Sequence, residues 1–63
     1  MKIRDITVYF NDSDSEYIEN VEIIEESGEF VYVLMSDGNA FMANKNAVKY
    51  IKIYGREEEW KRI

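Results

Sequence analysis

The chain has 63 residues, no Cys and no His, and a formal net charge of −5 from 13 acidic and 8 basic side chains. That length makes one domain with a thin stability margin, which disulfides, a metal or oligomerisation supplement in many domains this small. The missing Cys and His exclude disulfides, the common zinc sites and nucleophilic catalysis by a Ser–His or Cys–His pair.

Packing and self-association remain as sources of stability. The 46 % hydrophobic content suffices for a core. Lys2 and Arg4 precede no apolar run, so the amino terminus does not read as a signal peptide. No stretch approaches the roughly 18 apolar residues of a membrane span, and the expected location is the cytoplasm.

In chain order, Lys2–Phe10 predicts a first strand, with Ile6, Val8 and Phe10 on one face and Thr7 and Tyr9 on the other. Asn11–Ser15 is a turn, rich in side chains that bond locally to backbone. Residues 16–26 admit two readings. As a helix over 14–26, Ser13 and Glu16 form a capping box and Tyr17, Val21 and Ile24 share a side. As a strand, Val21 and Ile23 point inward, Ile24 faces away, and a bend or bulge falls near it. Three isoleucines and a valine in this stretch favour the strand.

Phe30–Met35 is a nearly continuous apolar run that predicts a buried central strand, with Phe10, Phe30 and Tyr32 in the core. Asp37-Gly38 signals a type I′ hairpin turn. Ala40–Ala43 returns antiparallel, with only one of Phe41 and Met42 able to face inward. Asn44–Ala47 predicts a tight 3₁₀ turn, and Val48–Tyr54 the last strand, Ile51 and Ile53 facing opposite to Tyr50, Lys52 and Tyr54. Residues 55–63 form a charged tail or short helical turn, with Trp60 either a lid on the core or an anchor for a partner.

The expected fold is therefore all-β, a five-stranded antiparallel meander over residues 1–54. The alternative is α+β, with the 14–26 helix on a four-stranded sheet. By strand count and spacing over residues 2–54, the chain resembles the SH3-like small barrels. That resemblance implies that the first and last strands pair, and it carries no activity with it.

Catalytic and cofactor chemistry finds no foothold. The three glycines lie far apart, so no phosphate loop exists. Asp12-x-Asp14-x-Glu16 has the alternating oxygen ligands of a calcium loop, but Tyr17 and Ile23 occupy positions where that loop requires Gly and Glu. A solvated turn is the reading here, with no metal and no cofactor. A barrel this small fills its own interior, so no enzyme is expected.

Charge is the informative feature. Residues 5–44 hold ten acids and no base, a charge of −10, while the flanks hold eight bases against Glu57, Glu58 and Glu59, or +5. Asp12, Asp14, Glu16, Glu19, Glu22, Glu25, Glu26 and Glu29 form the acidic concentration. One reading is a solubilising outer face. A second is an acidic face that binds a protein partner with a basic groove, as do the small acidic inhibitors of nucleic-acid-handling proteins encoded by phages and mobile elements. A third uses the opposite edge, where Lys2, Arg4, Lys49 and Lys52 with Tyr50 and Tyr54 make a basic, aromatic footprint for single-stranded nucleic acid. The net negative charge opposes it. That basic edge also suits the acidic face of another copy, giving a homo-oligomer through exposed strand edges. The leading expectation is a non-enzymatic protein that binds a protein partner through the acidic face and self-associates.

Overall fold

The computed structural model describes residues 4–55 and the backbone of residues 59–61. Six strands form: β1 (Arg4–Phe10), β2 (Ser15–Ser27), β3 (Phe30–Met35), β4 (Ala40–Asn44), β5 (Val48–Ile53) and β6 (Glu59–Lys61). A 3₁₀ turn at Lys45–Ala47 precedes β5, capped by the Asn44 side chain, which accepts from the Asn46 N–H at 2.8 Å. Every pairing is antiparallel, in the order β4-β3-β2-β1-β5-β6.

The all-β expectation holds, including the pairing of β1 with β5. No described strand joins β4 to β6, so this small sheet is open rather than closed into a barrel. Residues 59–61, expected in a free tail or helical turn, instead extend the sheet beyond β5, with Trp60 opposite Ile51.

The helical alternative fails at β2 for an instructive reason. Its core-facing residues Ile18, Val21 and Ile24 recur every third position, a spacing a helix also produces. The strand keeps them on one face by bulging twice. Against β1, the pairs Ile6–Ile18 and Arg4–Val21 set three steps of β2 beside two of β1. Against β3, Val21–Met35 and Ile23–Leu34 set two steps beside one. Each extra residue reverses the side-chain alternation. Ile24 therefore packs on the core, and Ile23, expected inward, turns to the other face beside Leu34.

Asn20 sits in the first bulge with a left-handed φ of 58°, a conformation Asn tolerates better than most residues. Its N–H donates to an Asp5 carboxylate oxygen at 3.1 Å. A straight strand of 13 residues would run about 40 Å. The molecule's longest axis is 27 Å, so β2 bends.

The core gathers Ile6, Val8, Ile18, Val21, Val31, Val33, Val48 and Ile51, all buried. Phe10 and Phe41 pack against it, and Met42 takes the outward position on β4. Phe30 and Tyr32 do not enter the core. Strand alternation gives the inward positions of β3 to Val31 and Val33, leaving Phe30 38 % exposed. The β3–β4 hairpin forms as expected but with a different turn: Asp37 does not have positive φ, and Gly38 does, at 92°. The Gly38 N–H bonds to the Met35 carbonyl at 3.1 Å and the Met35 N–H to the Asn39 carbonyl at 2.9 Å. This is a three-residue loop ending in a left-handed glycine, not the two-residue type I′ turn.

Candidate functional site

Two surfaces contain the residues singled out by sequence. The first is acidic. Asp12 and Asp14 lie in the β1–β2 turn, Glu16, Glu19, Glu22, Glu25 and Glu26 on β2, and Glu29 in the β2–β3 turn, all exposed. They do not make one flat face. Glu25 pairs opposite Tyr32 on the solvent side, whereas Glu16 and Glu26 pair opposite the buried Val8 and Val31 at the two ends of the strand. The bulges carry Glu19 and Glu22 between them. The result is a ridge that follows β2 around the molecule.

Among the described residues one ion pair forms, Lys45 to Glu26 at 3.3 Å. Asp12 commits one carboxylate oxygen to its own turn, accepting from the Asp14 N–H at 3.1 Å. No group of three or more potential metal-ligating side chains converges among the described residues.

The second surface is the solvent face of β2, β1 and β5. Tyr50, Lys52 and Tyr54 share it, as their alternation requires. Tyr9 stacks on Tyr50 with ring centroids 4.6 Å apart. Tyr54 meets Tyr17 edge-on at 6.0 Å, and the Lys52 ammonium lies 5.3 Å from the Tyr54 ring centre. Thr7 and Tyr54 share a hydroxyl–hydroxyl hydrogen bond of 3.0 Å.

The Tyr17 hydroxyl donates to the Asp5 carboxylate at 2.8 Å. That bond, with the Asn20 N–H, holds the Asp5 carboxyl below its ordinary range. The same bond, with desolvation and the charge of Asp5, pushes the Tyr17 phenol up to about 12.

The proposed basic edge is only partly assembled. Arg4 lies half-buried with its guanidinium against Gly55, where a Cβ would come within 3.2 Å of it, and its buried Nε has no partner among the described residues. Lys49 occupies a β5 bulge between the Tyr9–Tyr50 and Phe10–Val48 pairs. Lys2 and the Trp60 side chain lie outside the described residues.

The tyrosine cluster includes Tyr9, Tyr17, Thr7 and Asp5, which charge-based reading passed over. The signal was present: Thr7 and Tyr9 alternate away from the core, and pairing β1 with β5 sets Tyr9 opposite Tyr50.

Among the described residues no helix is long and apolar enough to cross a membrane. No family model matches the chain, and no curated protein and no solved structure matches it.

Proposed function

We propose that the protein is a non-enzymatic binding module whose acidic ridge occupies a basic groove on a protein partner, of the kind that otherwise receives nucleic-acid phosphates. The observation that carries this reading is the set of eight exposed carboxylates along β2 and its turns, with a described cation beside Glu26 alone. Unneutralised carboxylates on a hydrogen-bonded strand project a fixed field, which steers a cationic partner and weakens with salt. Occupying such a groove excludes nucleic acid from it, so inhibition is the expected consequence of binding.

The runner-up, single-stranded nucleic acid on the tyrosine face, is favoured by the Tyr9, Tyr50, Tyr54 and Lys52 grouping. It is opposed by the same geometry. Tyr9 and Tyr50 already stack on each other, Lys52 lies over Tyr54, and the Asp5 carboxylate stands beside Tyr17. Few ring faces remain for bases to stack upon.

The test immobilises the chain and recovers bound proteins from nuclease-treated lysate. Bound proteins are expected to elute with duplex DNA or raised salt, and to be lost with the triple substitution Glu19→Lys, Glu22→Lys and Glu25→Lys. Unchanged capture by that variant, or tight retention of the chain itself on single-stranded DNA, contradicts the acidic-ridge reading.

A further inference from the structure

The two ends of the sheet differ. β3 and β4 together contain no charged residue, in a chain where 33 % of residues are charged. Edge strands are usually guarded by lysine, proline or a bulge. β4 has none of these, and its register with β3 runs without a shift.

The ladder decides which backbone groups face outward. The Met35 N–H bonds to the Asn39 carbonyl, and the Lys45 N–H to the Glu29 carbonyl. Residues 39 and 45 therefore turn towards β3, and by alternation so do Phe41 and Ala43. Ala40, Met42 and Asn44 present their N–H and C=O groups to the open edge, where no described strand takes them. The solvent face beside this edge is apolar: Met42 is 53 % exposed, next to Tyr32, with Phe30 and Leu34 flanking.

We propose that this edge pairs with β4 of a second copy of the chain, antiparallel about a two-fold axis at Met42. Two features of this pairing select a second copy over another strand. In the Met42-centred register, Met42 faces Met42 and Ala40 faces Asn44, so every outward N–H of both strands finds a carbonyl. Antiparallel pairing also brings the Asp37 end of each hairpin towards the Lys45 end of the other, where Lys45 is already held in its ion pair with Glu26 at 3.3 Å.

The acidic ridges do not oppose this approach. With strands about 4.8 Å apart, five gaps separate the two β2 strands, or about 24 Å. That exceeds a Debye length of about 8 Å at physiological salt. On the solvent face the two Met42 side chains meet between two Tyr32 rings, a contact that a thioether and an aromatic make favourably.

Amide hydrogen exchange across a dilution series tests this directly. The amides of Ala40, Met42 and Asn44 are expected to be protected at high concentration and to lose protection on dilution. Those of Phe41 and Ala43 should stay protected throughout. Met42→Pro removes only an outward N–H, and Met42→Lys sets like charges across the axis. Both should reduce the solution mass from twice 7.5 kDa to 7.5 kDa while the Phe41 and Ala43 amides remain protected. Outward amides that exchange freely at every concentration, or a dimer that survives both substitutions, overturn the proposal. The first of these results would leave the edge to a strand from another protein.

Discussion

The β1–β5 surface and the β3–β4 surface are both rich in large side chains, yet they are finished in opposite ways. Around β1 and β5 the outward tyrosines and Thr7 have local partners: Tyr9 with Tyr50, Thr7 with Tyr54, and Tyr17 of β2 with Asp5. On β3 and β4 the outward Phe30 and Tyr32 rings lie 6.4 Å apart, Met42 is exposed, and no described strand takes the outer backbone edge of β4. A count of exposed aromatics would rank these surfaces alike. Satisfaction of polar groups separates them, since a self-satisfied face gains little from a partner and an open edge gains hydrogen bonds.

Several substitutions would break or sharpen that contrast. The largest effect belongs to the core that both surfaces share. Ile51→Ala, at a fully buried position, should cost about 2–5 kcal/mol. A domain of this size has a total stability of about 3–9 kcal/mol. Urea titration should show the variant substantially destabilised, both surfaces melting in one transition.

At the hinge of β2, Asn20→Val should cost about 1–3 kcal/mol because a β-branched residue resists the φ of 58°. Asn20→Gly should stay within about 0.5 kcal/mol. Equal losses in both variants would mean that the left-handed bulge is not what Asn20 supplies.

Thr7→Val, at a buried position, removes the hydrogen bond to the hydroxyl of the more exposed Tyr54 and should cost about 1 kcal/mol. Met42→Thr, on the open surface, should change monomer stability by less than about 0.5 kcal/mol. Comparable losses would erase the distinction between the two surfaces.

The smallest effect is in pH dependence. The Asp5 carboxyl titrates lower when folded, so its contribution is present above the unfolded value of 3.8 and is lost as pH falls through the folded one. Tyr17 is raised, so its contribution is complete below pH 10 and is lost as pH rises through about 12. In Asp5→Asn, NMR or absorbance titration should find the Tyr17 phenol moved back towards 10. A phenol still near 12 would deny the Asp5 bond its role.

Much of the fold was legible in the sequence because most strands keep strict alternation. Ile6 and Val8 against Thr7 and Tyr9, and Ile51 and Ile53 against Tyr50 and Lys52, are assigned to their faces by period alone. β2 was legible as a strand but not in register. Its bulges convert a period of two into a spacing of three, and only the pairing with Asp5 and β3 shows where the extra residues go.

Phe30 and Tyr32 were misplaced because an apolar run does not say which alternate residues a one-sided sheet will bury. Charge located the acidic ridge, while its winding course depended on those same bulges. The open β4 edge was legible only in part: the absence of charge from 30–35 and 40–44 is plain in sequence, but that these strands end the sheet is a fact of topology.

The central claim is a division of labour, with the acidic ridge acting through its field and the β4 edge through backbone pairing. Sedimentation equilibrium at about 0.05 M and about 0.5 M salt tests it most directly, since screening shortens from beyond 10 Å to about 4 Å over that range. A mass of twice 7.5 kDa at both salts is predicted. A monomer at both, or an assembly that dissociates as salt rises, would contradict it.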